Sequence, residues 1–303
     1  MKPVVVVGSM NVDLVARAER IPMPGETVPG TRFAIHSGGK GANQAVAVAR
    51  LGCPCIFLSR QGNDVFGPQL VEGLQAAGVD TAQIDVTGNP SGTALIVVEE
   101  NGQNCIVVTP GANADVTVEY LETKQETLRS AAMVLTQLEI PLATVEWLAQ
   151  FCHAEGVPLV LDPAPARELP ASLFPLLDWF TPNETEAAFY AGGEAGEEVV
   201  LGRLFAMGLR SVVLKQGAQG ALLAKASGYR ERIAPFVVEA VDTTAAGDVF
   251  NGAFAAGLTQ GRTEVESAQM AAAAAALSVT RAGAQPSMPT AQEVQAALER
   301  ESG

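Results

Sequence analysis

The sequence is poor in the residues that build metal centres and disulfide frameworks. Its 303 residues include two histidines and four cysteines. Neither residue type forms the spaced pairs or clusters that are typical of zinc sites, so a structural zinc site is excluded. We interpret all four cysteines as reduced thiols, and this interpretation predicts a cytoplasmic protein.

Positive charge and long apolar runs are also scarce. Lys and Arg number 19 against 33 Asp and Glu, which gives a net charge of −14. This balance predicts no nucleic-acid partner and no anionic membrane surface, although backbone N–H groups and a few cations can still bind phosphate. No apolar run is long enough to predict a membrane span, and the four valines at residues 4–7 are too few for a signal peptide.

What the sequence does contain is an alternation of apolar strands with amphipathic helices. The valine run at residues 4–7 is typical of a strand buried on both faces. Such alternation predicts one α/β domain over residues 1–303 with a mainly parallel sheet. An Asn-Gly pair at residues 101–102 predicts a hairpin, and we expect segments of about 11–36 and 91–109 to form a small β lid. The predicted helices span residues 42–51, 67–77, 116–130, 142–155, 186–191, 250–260, 266–280 and 290–300.

Polar residues follow several of these strands. Asn11 and Asp13 come after the first strand, and Glu139 and Asp162 follow two later ones. In open α/β sheets ligands bind beyond the carboxyl ends of strands. The local pattern around Asn11 and Asp13 fits an edge strand with a solvated face equally well.

A glycine-rich segment at residues 38–45, GGKGANQA, leads into a predicted helix. Its lysine precedes a glycine instead of following one, so the phosphate-loop motif is not matched. The segment still brings Lys40 and Asn43 to the start of one helix, beside a space of ligand size.

The stretch at residues 242–248, DTTAAGD, enters another predicted helix through small residues. Ala245, Ala246 and Gly247 allow a close approach of the backbone, and the free N–H groups of a helix start suit an anion. Asp248 is then either a helix cap or a group that acts on a substrate. Local evidence favours the cap, because Asp is among the best N-cap residues.

Together these motifs resemble the ribokinase family of carbohydrate kinases. The resemblance rests on residues 38–45 and 242–248, and on residues 161–167 (LDPAPAR) and 181–186 (TPNETE) between them. It covers essentially the whole chain. It implies a ribokinase-like three-layer fold with about nine central strands, a β lid, and ATP-dependent phosphorylation of the ribose 5-hydroxyl.

The resemblance also implies roles for individual residues. Asp248 matches the catalytic base, and Ala245, Ala246 and Gly247 match the anion hole. The sugar contacts match Asn11, Asp13, Gly39, Lys40, Asn43 and Glu139. Nucleotide or Mg²⁺ binding matches Asn183, Glu186, Lys215, Gln216, Gly217, Ala218, Gln219, Gly220, Gly247 and Asp248. A K⁺ site matches Asp242, Thr244, Ser278, Arg281, Gly283 and Ser287. Relatives often dimerise through the lid, which implies a homodimer here.

Other functions remain open at this point. A kinase for deoxyribose, a nucleoside or another furanose would share the Asp248 motif. A non-catalytic sugar-binding protein on the same fold is a further alternative, although it would not need Asp248. A dinucleotide-binding dehydrogenase would need G-x-G-x-x-G after the first strand, and that motif is missing.

Overall fold

The computed structural model describes residues 1–193 and 195–301. Its strands, in chain order, are β1 Val4–Val7, β2 Asn11–Ala18, β3 Gly30–Gly38, β4 Cys55–Leu58, β5 Arg60–Gln61, β6 Asp85–Val86, β7 Gly92–Glu99, β8 Asn104–Thr109, β9 Met133–Thr136, β10 Leu159–Leu161, β11 Trp179–Phe180, β12 Ser211–Lys215, β13 Ala221–Lys225 and β14 Arg230–Ile233. The α-helices are α1 Lys40–Arg50, α2 Phe66–Ala76, α3 Val118–Glu122, α4 Gln125–Ser130, α5 Leu142–Glu155, α6 Glu184–Tyr190, α7 Glu197–Ala206, α8 Ala246–Thr259, α9 Glu264–Val279 and α10 Ala291–Glu301.

The central sheet has eight strands in the order β14-β13-β12-β11-β10-β9-β1-β4. The six strands β12, β11, β10, β9, β1 and β4 are parallel to one another. Strand β13 pairs antiparallel with β12 and with β14. The predicted fold class, with a mainly parallel sheet, is therefore confirmed, with eight strands where about nine were expected.

Helices cover both faces of this sheet because its strands are apolar on both sides. Val4 and Val6 of β1 pack in one core cluster with residues of α1, α8 and α9. Val5 and Val7 pack in the other cluster, with residues of α5 and α7. Alternate residues of a strand point to opposite faces, so an unbroken valine run serves both cores. No helix in the described part of the chain is long and apolar enough to cross a membrane.

A second, four-stranded sheet has the order β3-β2-β7-β8. Its strands come from the two segments predicted as a lid, and β7 and β8 form the predicted hairpin around Asn101 and Gly102. Because β2 follows β1 after three residues, this sheet stands beside the carboxyl ends of the central strands.

Several predicted elements differ from the structure. The single helix predicted over residues 116–130 is two short helices, α3 and α4, and α3 ends at Glu122. The helix predicted to begin at residue 250 begins at Ala246, so Asp248 lies within its first turn. Helix α7 and strand β14 were not predicted. The sequence of β14, RERI, is mostly charged and carries no apolar alternation.

Candidate active site

The predicted anion site is the turn that enters α8. Ala245 adopts φ 61°, a left-handed conformation that is uncommon outside glycine. This turn lets the N–H of Ala246 donate to the carbonyl of Thr243 at 3.2 Å. The N–H groups of Gly247 and Asp248 have no acceptor among the described residues, so they can bind an anion.

Asp248 is buried at this turn and is not the helix cap. The N-cap position belongs to Ala245, and no side chain caps the helix. The interpretation of Asp248 as a cap, which local sequence favoured, is therefore wrong. Its Oδ2 accepts a 2.9 Å hydrogen bond from Asn43 Nδ2, and its Oδ1 accepts one of 3.2 Å from Gln44 Nε2. Both amides come from the start of α1, which packs against α8.

The charge state of Asp248 suits a general base. Burial raises the pKa of Asp248 to about 6, the Lys40 ammonium opposes the rise, and Asp162 adds to it. A carboxyl group with this pKa is mostly ionised at neutral pH and still accepts protons efficiently. Burial alone would lower the pKa of Lys40, but the nearby carboxylates of Asp248 and Asp162 raise it above its usual value. Lys40 is therefore charged.

The polar residues predicted to bind sugar gather around the start of α1, where Asn43 contacts Asp248. Asn11 Oδ1 accepts a 2.6 Å hydrogen bond from Asn113, and Glu139 Oε2 accepts bonds from Ser9 Oγ at 2.5 Å and from the Lys40 N–H at 3.0 Å. Burial, with help from Glu139, raises the pKa of Asp13 to about 7.

Glycines make room for these side chains. A Cβ on Gly38 would lie 2.3 Å from the Asp13 carboxylate, and one on Gly39 would lie 2.7 Å from the Asn11 nitrogen. Gly39 also has φ 88°, so this position at the start of α1 requires glycine for both conformation and space.

Two cavities meet at the α8 turn. One has a volume of about 360 Å³ and is lined mostly by apolar side chains, among them Phe236, Phe250 and Ala272. The other, of about 300 Å³, is polar and contains Lys40, Asp162, Glu186 and Asp248. Lys215, Gly217, Thr243, Ala246 and Gly247 line both cavities. A ligand with an apolar and an anionic end fits this pair of spaces.

The loop at residues 215–220 contributes unequally to these cavities. Lys215, Gly217, Ala218 and Gly220 line the apolar cavity. The side chain of Gln216 instead donates to Glu197 at 2.9 Å, and neither Gln216 nor Gln219 is among the described lining residues of either cavity.

Asn183 and Glu186 are joined in a capping box at the start of α6. The Asn183 side chain accepts from the Glu186 N–H, and the Glu186 side chain accepts from the Asn183 N–H, both at 2.8 Å. The N-x-x-E pattern thus has a structural role of its own. Burial and Asp162 raise the pKa of Glu186, which lines the polar cavity.

The residues predicted to bind K⁺ lie partly together. Asp242 accepts from the Thr244 N–H at 2.9 Å and from the Gly283 N–H at 2.8 Å, and its own N–H donates to Val279, next to Ser278. The Arg281 guanidinium points elsewhere, because it pairs with Glu293. The buried Ser287 hydroxyl donates to Ala284 at 2.7 Å.

These features agree with comparisons to known proteins. Residues 1–291 match the pfkB family carbohydrate kinases. The chain belongs to the pfkB family of carbohydrate kinases. Within this family, the ribokinase of Bacillus subtilis (strain 168) is 41% identical over 98% of this chain and 100% of its own length.

Solved pfkB structures with the same fold include a ribokinase from Thermotoga maritima, with 38% identity, a TM-score of 0.92 and coverage of 99% of this chain and 100% of that chain. The Arabidopsis thaliana ribokinase, complexed with ribose and ATP, has 34% identity, a TM-score of 0.92 and coverage of 98% and 99%. A deoxyribokinase of Salmonella typhi is 34% identical over 96% of each chain. The resemblance seen in the motifs is confirmed.

Some residues of this pfkB site were not predicted. Gln44 was not singled out, although it is fully buried between Asp162 and Asp248. Asn113, which donates a hydrogen bond to Asn11, lies in a short 3-10 helix at residues 111–115 that was not predicted. The apolar cavity is also lined by residues 235–238 of an irregular segment and by alanines of α9, and neither set was predicted as part of a site.

Proposed function

We propose that this chain transfers the γ-phosphoryl group of ATP to the 5-hydroxyl of D-ribose, giving ribose 5-phosphate and ADP. The observation that carries this proposal is the buried carboxylate of Asp248, which lies between a polar, hydroxyl-matching site and a turn with free N–H groups. Membership of the pfkB family and the ribokinases among its relatives support the same activity.

The two cavities divide the work of binding. The apolar cavity takes adenine, and the polar cavity takes the phosphates next to Asp248. Ribose would lie against Asn11, Asp13, Gly39, Lys40, Asn43 and Glu139, whose acceptors and donors match a ring of hydroxyls. Buried polar groups of this kind are costly unless a polar ligand pairs with them, so the lid face favours a sugar over an apolar substrate.

Asp248 accepts the proton of the attacking hydroxyl, and the N–H groups of Gly247 and Asp248 stabilise charge on the transferring phosphate. The first contribution is typically about 10²–10⁴ in rate, and the loss of one such donor costs about 10²–10³. Asn43 and Gln44 orient the carboxylate through both of its oxygens.

Mg²⁺ is proposed as the cofactor that accompanies ATP. The carboxylates of Asp162, Glu186 and Asp248 outnumber the two lysines in the polar cavity, so a polyphosphate needs an added cation there. Glu186 and its partner Asn183 offer oxygen donors, which suit Mg²⁺ directly or through water. Bound Mg²⁺ would neutralise phosphate charge. No three His, Cys, Asp or Glu side chains converge as a metal site in the described residues, so the phosphates would supply most of the ligands.

K⁺ is proposed as an activator that steadies the turn before α8. Asp242 accepts hydrogen bonds from Thr244 and Gly283. These bonds link the residues just before Ala245 to the segment that follows α9. The carbonyl groups of Ser278, Arg281 and Ser287 would complete the site.

We also propose one kinase domain over residues 1–303, of which residues 194, 302 and 303 lie outside the described residues. Its lid would be the four-stranded sheet, and a homodimer would form through this lid.

The outer face of this sheet carries a row of apolar residues. Leu14 of β2 is the cross-strand partner of Ile35 and Leu95, and Leu95 is the partner of Val107. These four apolar residues form one row across the sheet, on the face opposite Asp13. Ile35, Leu95 and Val107 are exposed, as expected of an interface.

A cytoplasmic location is proposed on the basis of the cysteines, all four of which are free thiols. Reducing compartments keep thiols in this state.

The experiment that tests the proposed activity is an ATP-consumption assay of the purified chain with ribose, 2-deoxyribose, other furanoses and nucleosides. We expect the highest kcat/KM with ribose. The deoxyribokinase relative makes deoxyribose the second candidate. Faster turnover of deoxyribose or of a nucleoside would overturn ribose as the substrate, and binding of ribose without ATP consumption would indicate the non-catalytic alternative.

A further inference from the structure

Lys215, the last residue of β12, carries its ammonium group into the active site. Its side chain is 12% exposed, and Nζ lies 3.0 Å from Oδ1 of Asp162, whose side chain is 2% exposed. Buried ion pairs are weak contributors to stability, because the loss of solvation offsets their attraction. A pair of this kind between two cavities is therefore better explained by ligand binding than by stability.

The ammonium group also lies against the α8 turn. A Cβ on Gly247 would stand 3.5 Å from Lys215 Nζ, so this nitrogen faces the backbone that presents the free N–H groups. Lys215 is one of the residues shared by the apolar and the polar cavity. A triphosphate that runs from the apolar cavity toward Asp248 must therefore pass this ammonium group.

We propose that Lys215 is a catalytic residue whose ammonium stabilises the phosphoryl group during transfer, and that Asp162 holds this ammonium in place. The inference rests on the proposed kinase function. In the step, the ribose oxygen forms a bond to the γ-phosphorus while the bond from that phosphorus to the bridging oxygen breaks. The electron pair leaves on ADP, the hydroxyl proton passes to Asp248, and Lys215 keeps its protons. Such transfers depend mainly on positioning and charge stabilisation.

Asp162 links this cation to the base through one amide group. Its Oδ2 accepts a 2.9 Å hydrogen bond from Gln44 Nε2, the same nitrogen that lies 3.2 Å from Asp248 Oδ1. Gln44 is itself fixed by a 2.6 Å bond from Gln137. A continuous set of buried hydrogen bonds thus links the Lys215 ammonium, on the proposed phosphate side, to the Asp248 carboxylate, on the proposed sugar side.

The test compares Lys215→Met with Lys215→Arg and with Lys225→Met as a matched control. Lys225 ends the neighbouring strand β13 and also pairs with a carboxylate, that of Glu264, but it lines neither cavity. We expect Lys215→Met to lower kcat by about 10²–10³, as for the loss of a charge-stabilising donor, with little change in the KM for ribose. Lys215→Arg keeps the charge and should recover part of kcat, and Lys225→Met should match the unmodified chain.

A double variant separates catalysis from folding. Lys215→Met alone leaves Asp162 buried without its partner, so the variant Lys215→Met/Asp162→Asn removes both charges. We expect this double variant to regain thermal stability and to stay slow. A double variant that regains the kcat of the unmodified chain, or a Lys215→Met variant that never loses it, would overturn the role of Lys215. If the unmodified chain showed no ribose-dependent ATP consumption, the proposed function would fail instead.

Discussion

The side-chain amide of Asn43 donates a 2.9 Å hydrogen bond to Oδ2 of Asp248. Asn43 was predicted as a sugar contact, and in the structure its side-chain nitrogen already donates to Asp248, the proposed base. Its Oδ1 is buried and has no partner among the described residues. Since an unpaired buried acceptor is costly, this oxygen is the atom of Asn43 that we expect to accept a ribose hydroxyl. Asn43 would then join the base and the sugar directly.

Replacement of Asp248 by Asn should separate binding from turnover. We expect Asp248→Asn to keep ribose binding and to lose at least about two decades of kcat, because an amide cannot accept the hydroxyl proton. Calorimetric titration with ribose and steady-state kinetics measure the two effects. Asp80→Asn, at an exposed aspartate, is the control and should leave kcat unchanged. Near-normal turnover of Asp248→Asn would refute the assignment of the base.

Activity should fall as the pH drops through the pKa of the base. As the proposed base, Asp248 would act in its ionised form, and its pKa is raised to about 6, so kcat/KM should decline below that pH. Asp13, with a pKa of about 7, should contribute a second protonation to the acidic side of the pH profile of kcat/KM. In the Asp13→Asn variant, kcat/KM should show only the decline with a pKa near 6. A limb close to the ordinary aspartate value of about 3.9 would contradict the raised pKa values.

The cation proposal predicts faster turnover in K⁺ than in Na⁺ at equal ionic strength. Asp242→Asn should reduce this difference, because Asp242 would lose the charge that attracts the cation while its neighbours Thr244 and Gly283 remain. The measurement is kcat in paired potassium and sodium buffers. Equal rates in both salts for the unmodified chain would rule out the activator role.

The lid interface can be tested with one buried charge. Leu95→Glu places a carboxylate in the centre of the apolar row on the lid sheet, so we expect the dimer to dissociate into monomers. Sedimentation velocity measures the change. Val65→Glu alters a valine that is 71% exposed and lies outside the lid, and it serves as the control. If the Leu95→Glu protein still sediments as a dimer, the dimer interface does not include the apolar row. If the unmodified chain sediments as a monomer, the proposed homodimer is wrong.

The entry to α1 leaves no room for a methyl group. A Cβ on Gly41 would lie 2.6 Å from the Ser9 nitrogen and 2.7 Å from the Gly8 backbone, so Gly41→Ala forces the helix away from β1. We expect a loss of about 1–3 kcal/mol in the free energy of unfolding. Gly202→Ala in α7 meets no atom within 4 Å and should be neutral or stabilising. Urea unfolding curves measure both, and equal stability of the two variants would contradict the packing argument.

The sequence was most informative where burial on both faces dictates composition. The apolar residues of β1, β9 and β10 are buried, and their sequences are typical of inner strands. Asp162, which follows β10, lines the polar cavity. Strand β14 escaped prediction because it is an edge strand, paired on one side only, where charged residues are tolerated. The break between α3 and α4 has no proline or glycine, and Lys124 at the break pairs with Asp85 across the fold. Such tertiary contacts leave no local pattern.

The same limit applies within the site. Motifs identified Asp248, but its helical setting, its amide partners and its raised pKa come from the packing of α8 on α1. Gln44 was not predicted as a site residue, because a single sequence does not show which buried amide will contact two carboxylates. The ion pair of Lys215 and Asp162 joins residues 53 positions apart in the chain. Long-range pairings of this kind become visible only when the strands are laid side by side.

Strand β2 carries the proposed sugar contacts and the apolar row on alternate residues. Asp13 points to one face of the lid sheet and Leu14 to the other, since successive side chains of a strand alternate. Adding or removing a single residue within β2 would exchange the two faces, putting leucine toward the sugar and aspartate toward the outside. A change in the length of β2 should therefore disrupt both faces of the sheet. We expect insertions to be tolerated in the connection at residues 19–29 instead, where no strand register has to be kept.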